Sequence, residues 1–417
     1  MERLPLDAVA RPGSLDAVLD YAWDAGEFTA TDVMDAVGVT RSTAISATER
    51  LVGIGLLHEL PNARDAGEYR MGRPARRFGF RADAGVTIGV DAGRSHLAVE
   101  VADLAGRTIH VQHSSLDPDD VSPLTRRRRI SEAVDQALGD AGSGRDDVVA
   151  ICIGVPAPVD KHGRSPRHRT AFWDLMNPDL VHVFAEWAPV VRVENDASLA
   201  AVAEGTIGAA SGCENYVTLL AGDRLGAGVV VDGQLLRGMH GGVGEMVAFD
   251  HVVGVGTAAG LGQQLQDWAR EAVRGGSLPA GGRLAATPVD AIDARRVLEL
   301  AAAGDDDARA LVARAGSMLA RILSVLGSMF DPQRIVVSGA VAGGIGAIAD
   351  IARSELPTGM DLPEPELSVS ALGADVVVKG AVAAATRLAR ENALELFLTR
   401  EVSSSPRRSP ASDQGGD

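Results

Sequence analysis

The sequence predicts an α/β protein preceded by a small, mostly helical head of winged helix-turn-helix design. Three observations predict it. Short apolar strands end in clustered carboxylate, amide and glycine residues; a glycine-punctuated hairpin between Asn215 and Asp250 leads into Glu245; and three segments of helical period followed by an arginine-rich strand pair stand ahead of both. At 417 residues the chain can build two or three domains with sizeable cores. Its net charge of -16 repels nucleic acid as a whole, so any DNA contact has to come from a local basic patch. No uninterrupted apolar run approaches the roughly 18 residues needed to span a bilayer, and acidic residues stand where a secretory leader is basic. These features predict a cytoplasmic protein with no membrane partner. Cys152 and Cys213 lack metal-ligand spacing, which predicts neither a disulfide framework nor a thiolate metal site.

In the head, Leu15, Val18, Leu19 and Ala22 recur at helical spacing from Ser14 to Ala25, and Gly26 stops that helix. Thr29 caps a second helix bearing Val33, Met34 and Val37, and Gly38 turns the chain into a third, about Arg41 to Ile54. The third helix is expected to bury Ile45, Leu51 and Val52 and to leave Arg41, Ser42, Thr43, Ser46 and Arg50 for bases and phosphates. Two strand-like pieces around a polar tip follow, a wing. Between Leu60 and Ala82 six arginines, Arg73 and Arg76 among them, face two carboxylates, so local charge reverses sign. The bland alternative is a solvated linker.

In the body, an apolar strand from Val86 ends in Asp91-Ala92-Gly93-Arg94-Ser95, whose carboxylate, glycine and hydroxyl are the parts of a phosphate or magnesium loop, or of an ordinary polar hairpin. A helix from about Ser122 to Leu138 carries Arg126 to Arg129. Glu132 and Asp135 follow on the same helix, which predicts a solvated face. Glu194-Asn195-Asp196-Ala197 closes a short strand from Val190, where ligands bind in open α/β sheets. An Asp there can act as a general base toward a hydroxyl; the competing reading of Asn or Asp is a helix N-cap. Apolar runs Tyr216 to Ala221 and Ala227 to Val231 form a hairpin in which Gly222, Gly226 and Gly228 permit close backbone approach. From Ser403 to Asp417 composition favours a disordered tail.

The segment TRSTAISATERLVGIGLL from Thr40, followed by GRPARRF from Gly72, is similar to the N-terminal domain of regulators in the ROK family (repressors, open reading frames and kinases). ENDA at Glu194 to Ala197 with Glu245 downstream resembles the family's sugar-binding motif, and RIVVSG at Arg334 to Gly339 its late nucleotide-side strand. The resemblance covers Ser14 to about Phe397. It implies a winged helix-turn-helix over 14–82 and a two-lobed, actin-like ATPase (sugar kinase) fold with a central cleft. Lobe one would span 85–195, completed by a C-terminal helix over 376–398, and lobe two 196–375. By the same resemblance Asn195 and Glu245 contact sugar, Asp196 is the kinase base in vestigial form, and His168 flanks the sugar. Asp91, Gly93, Ser95, Gly226, Gly228 and Gly339 would be phosphate-loop remnants.

The departures from that pattern matter more. The family's DxGGT is DAGRS here, and its GTGxG is AGDRLG, where Asp223 adds like charge at the place of ATP phosphates. Ala248 replaces the zinc-motif histidine, and Val253, Val255 and Gly260 fall at its cysteines, so no zinc is expected. ATP and magnesium are expected only if the chain is a kinase. The expected function is a transcriptional repressor of carbohydrate genes that senses a sugar or sugar derivative and binds double-stranded operator DNA as a homodimer or homotetramer. The alternatives are an ATP-dependent sugar kinase with a DNA-binding extension, and a ligand-independent DNA binder whose lobes serve only dimerisation.

Overall fold

The computed structural model describes residues 13–61, 75–120, 122–279, 281–339, 344–356 and 363–404. The head contains α1 (Ser14–Asp24), β1 (Glu27–Thr29), α2 (Ala30–Val37), α3 (Arg41–Gly53), β2 (Leu57–Leu60) and β3 (Arg77–Phe80), with its three strands in the order β1-β3-β2. Local chemistry sets the helix boundaries. Thr29 and Asp32 form a reciprocal capping box at the start of α2, Gly38 ends that helix with φ 75°, and the Thr40 hydroxyl accepts from Thr43 N at the start of α3; each such cap contributes roughly 1 kcal/mol. Val18, Ala22, Phe28, Val33, Ala44, Leu51 and Leu56 fill the core.

Helix α3 differs from the sequence expectation in one respect. Its inner face is Ala44, Ala47, Thr48 and Leu51, small enough for close packing on α1 and α2, whereas Ile45 is 38% exposed and lies on the outer face. The wing is built on the antiparallel pair β2 and β3. Its tip, with Arg73, lies outside the described residues, as does the tail from 405.

The body is two mixed sheets of the same design. The first comprises β4 (Val86–Ala92), β5 (His96–Asp103), β6 (Thr108–Ser115), β7 (Val148–Val155) and β8 (Val190–Asn195), with α4 (Pro123–Asp140), α5 (Phe172–Met176) and α6 (Leu180–Ala185) in the connections. After α7 (Asp196–Ile207) the second comprises β9 (Tyr216–Ala221), β10 (Leu225–Val231), β11 (Gln234–Leu235), β12 (Arg334–Ser338) and β13 (Glu366–Val369). Helices α8 (Leu261–Arg274), α9 (Ala294–Ala302), α10 (Asp306–Phe330) and α11 (Gly346–Glu355) cover it. The strand orders are β6-β5-β4-β7-β8 and β11-β10-β9-β12-β13. In each lobe three antiparallel strands are followed by two parallel ones in the same relative positions, the internal duplication of a two-lobed, actin-like sugar kinase fold.

Helix α10 is long and apolar enough by length and composition to cross a membrane, despite Arg314 and Arg321 within it. Its apolar face instead packs into the second lobe through Val312, Leu319, Ile322, Leu323 and Leu326.

The last helix, α12 (Val376–Ser404), joins these parts. An alanine-rich stripe, including Ala381, Ala385, Ala389 and Ala393, is fully buried. Gly380 brings the backbone of α12 so close to α7 that a Cβ there would stand 1.9 Å from the Leu199 carbonyl oxygen. Beside it Lys379 Nζ meets the buried Glu100 at 2.8 Å. Farther along, Arg390 pairs with Asp20 (2.7 Å) and Asp24 (2.8 Å) on α1, and Arg50 on α3 forms a two-pronged pair with Glu401. The head is thus docked on about the last four turns of α12.

Gly380→Val should destabilise the protein by about 2–4 kcal/mol in urea denaturation, because backbone on both sides leaves the new side chain no room. A loss below about 0.5 kcal/mol would mean that the two helices are not in backbone contact.

Candidate functional site

The polar residues of interest collect where the strands of the first sheet end at their carboxyl termini, the ligand-binding edge of open α/β sheets. Asp91, at the end of β4, is buried, and its Oδ2 lies 3.0 Å from His96 Nε2. The imidazole covers the turn: a Cβ on Gly93 would fall 2.1 Å from it. Ser95 is exposed and its carbonyl accepts from Leu116 N. Beneath the turn lies Arg126, which corrects the solvated-face expectation for its helix. It is buried and donates to the carbonyls of Ala92, Gly93 (3.1 Å) and Met176 (3.2 Å). Burial pushes its guanidinium down to about 10, opposed by the charge of Asp91. Arg127 also turns inward, to the Pro178 carbonyl; Arg128 and Arg129 do form the expected surface, beside Glu132.

At the end of β8, Glu194 is buried between Arg192 (2.7 Å) and Arg237 (2.9 Å). Arg237 belongs to the loop that carries Glu245, so this carboxylate ties β8 to that loop. Asn195 is the N-cap of α7: its Oδ1 accepts from Ser198 N at 3.0 Å and its Nδ2 donates to the Ala157 carbonyl at 3.2 Å. Both heavy atoms of the amide are therefore engaged within the fold, and one amide hydrogen is left for a ligand. Asp196 uses one oxygen to accept from Ala197 N at 2.7 Å. Burial first, then the negative charges of Asp91 and Glu245, raise its carboxyl to about 7, against that hydrogen bond and His96. Glu245 is raised by desolvation and lowered by Arg224. The hydrogen bond that His96 makes to the Asp91 carboxylate raises its imidazole, with smaller pushes from Asp196 and Asp223. Asp91, His96, Asp196, Asp223, Arg224 and Glu245 thus share one electrostatic neighbourhood.

Gly226 and Gly228 have a different physical reason from the phosphate cradle expected of them. A Cβ on Gly228 would stand 2.3 Å from the Ala197 carbonyl oxygen, and one on Gly226 3.1 Å from Ala197 Cβ. They let α7 lie on β10. The turn itself is closed by the 258–260 segment, through Leu225 N to Ala258 O and Gly260 N to Asp223 O, both 2.9 Å. Gly244 is in the left-handed region at φ 86°, where a Cβ would overlap the Ala227 carbonyl; this close approach fixes Glu245 against β10. Gly339, at φ 106°, follows β12 beside Ala221. His168 stays within its own loop, with Nδ1 2.8 Å from the Thr170 hydroxyl and its ring 4.5 Å from that of Trp173.

The zinc region does not fit zinc. Val253 is 88% exposed, Gly260 packs on the Gly222 carbonyl, and among the described residues no group of three or more His, Cys, Asp or Glu is placed to hold a metal ion. His96 stands over the first turn, and Asp223 adds a carboxylate at the second.

On the head, Arg41, Ser42, Ile45, Ser46 and Arg50 are exposed along α3, with Thr43 half-buried against Thr40. Arg76 is already held by Glu49 and Glu59 at 2.8 Å each, which raise its guanidinium further, so it serves the base of the wing. Ile45 had been assigned to the core; its exposure adds an apolar contact to this face.

A sequence profile described as the ROK family matches residues 87–385. The chain belongs to the ROK family. Over 222 residues this ROK chain is 31% identical to the bifunctional enzyme NanE/NanK of Brucella suis biovar 1, covering 50% of the chain and 39% of that protein. Over 213 residues it is 27% identical to the xylose repressor of Bacillus spizizenii, covering 51% and 53%. It therefore spans about two fifths to one half of the length of these relatives. A crystal structure of a ROK family transcriptional regulator, described as a homologue of the E. coli MLC protein, superimposes with a TM-score of 0.72. That likeness covers 93% of this chain and 98% of the other at 19% identity, and is one of fold.

The raised pKa of Asp196 has a stability consequence. Its carboxyl titrates near 3.8 when unfolded and near 7 when folded, so the stability tied to its protonated form is complete below about 4 and lost as pH rises through 7. Asp196→Asn should therefore raise thermal stability at pH 8, by on the order of 1–2 kcal/mol, and leave it unchanged at pH 4. Equal shifts at both pH values would contradict this.

Proposed function

We propose that the chain is a DNA-binding transcriptional regulator whose kinase-like body senses a sugar or sugar derivative in the cleft lined by Asn195, Asp196 and Glu245. The observation that carries this reading is the head: a capped three-helix unit with an exposed, mixed polar and apolar face on α3, docked onto the last helix of a ROK body. The xylose repressor relative, and the regulator whose fold covers nearly the whole chain, point the same way. Arg41, Ser42 and Ser46 would meet phosphates and base edges, Ile45 a thymine methyl, and an arginine at the wing, Arg73, the neighbouring groove. The reading requires no metal, zinc or nucleotide.

Ligand acts by differential affinity. A sugar that binds one relative placement of the lobes more tightly shifts the population toward it, and the head follows because α12 contacts both α7 and the head. In a homodimer or homotetramer the same shift alters the spacing of paired heads relative to operator half-sites.

A second reading has one observation of its own. Asp196 titrates near 7, a suitable value for a general base toward a sugar hydroxyl, and the NanE/NanK relative is an enzyme. Transfer of radiolabelled phosphate from ATP to any of a panel of hexoses, abolished by Asp196→Asn, would establish it.

Selection from a random-sequence DNA pool with the full chain should enrich one operator-like sequence, and Arg41→Ala should weaken its binding about ten-fold in gel shifts. If no sequence is enriched, the regulator reading is wrong. Glu401→Gln should tighten operator binding about three-fold by freeing Arg50 for phosphate, with a steeper salt dependence. Glu245→Ala should preserve operator binding while removing the response to whichever sugar releases or strengthens it; an unchanged response would place the effector elsewhere.

A further inference from the structure

We propose that the second lobe carries an anion site, separate from the sugar cleft, for a small phosphate dianion, free or esterified. The site is a cavity of about 460 Å³ between α8, α10 and the glycine-rich turn at 254–256, within the size range of small-ligand pockets. Along one face of α10, Arg314, Ser317 and Arg321 follow at intervals of three and four residues, so their side chains share a stripe. Both arginines are held in place without being neutralised. The Arg314 guanidinium lies 3.9 Å from the Trp268 ring centre, a contact that fixes its plane and leaves its N–H edges available. Arg321 donates to the Val253 carbonyl at 3.2 Å. The turn is shaped around it: Gly254 has φ 82°, and a Cβ there would fall 1.9 Å from Arg321 Nη1.

Charge decides the ligand class. In a chain of net charge -16, neither arginine has a carboxylate partner among the described residues, whereas Arg145, Arg237, Arg334 and Arg390 each do. Two pre-positioned guanidinium groups open to a cavity match the fork geometry with which arginine binds phosphate oxygens; the Ser317 hydroxyl between them donates to the Ala313 carbonyl at 3.2 Å. The site is also wired to the sugar wall. The turn at 254–256 continues into Ala258, whose N–H donates to Asp250 and whose carbonyl accepts from Leu225 at the Asp223 turn. An anion that fixes this turn would therefore act on the segment that follows Glu245. None of this depends on the chain being a regulator.

Isothermal titration of the full chain at low ionic strength with inorganic phosphate, a hexose 6-phosphate and the parent hexose tests the site. Inorganic phosphate should bind saturably at one site per chain, and Arg314→Gln/Arg321→Gln should weaken it at least about ten-fold. Ser317→Asp, which keeps both arginines and adds a negative charge, should do the same while the melting temperature verifies folding. Asp196→Asn should have no effect. Tighter binding of the ester than of the free ion identifies the ligand as esterified, equal affinity as free phosphate, and both uphold the site. Absence of saturable phosphate binding overturns the proposal. So does a double variant that changes oligomeric state with phosphate binding intact, since the arginines would then serve a subunit contact.

Discussion

The rest of the structure depends on the backbone contact between α12 and α7 at Gly380. There the terminal helix lies against the Leu199 carbonyl with no side chain between, and a second glycine, Gly89, lets it lie equally close to β4. An alanine stripe extends the contact. Small residues lower the separation of helix from helix and of helix from strand, so dispersion contacts form along the whole length. The core of the head runs on into the buried face of this helix, which places the head on the body. The ion pairs of Arg390 and Arg50 are exposed and contribute little to stability; what they supply is orientation.

The cleft is an acidic neighbourhood in which protonation substitutes for a missing countercharge. Asp91 pairs with His96, whose pKa it raises, Glu245 is moderated by Arg224, and Asp196 is left to hold a proton near neutral pH. Polar hydroxyls can donate to such carboxylates and accept from a protonated one. Gly226 and Gly228, by contrast, serve packing. The sequence pattern that elsewhere cradles a phosphate here persists because α7 still needs room.

Much of the fold was legible because local rules and the long-range arrangement agree. The Thr29 cap, Gly38, the hairpin strands after Tyr216 and the strand ending at Asn195 are each specified within a few residues. What was not legible depended on tertiary partners. Ile45 fits a helical core stripe, yet alanines fill the inner face of α3, so it points outward. Arg126 stands in a run of four arginines, and only the carbonyls of Gly93 and Met176, far away in sequence, explain why it is the buried one. His96 gave no signal at all, since its significance lies in a contact across the β4–β5 turn. For Asn195 both readings were open, and the amide acts as the cap.

The length of α12 makes it a lever. At about 1.5 Å per residue, Glu401 stands roughly 32 Å from Gly380 along the helix axis. A turn of only about 5° at that pivot would carry the far end through roughly 3 Å, half the width of a DNA minor groove. Any small rotation at that pivot is thereby magnified at the head, and the stiffness of one helix sets how much of it arrives.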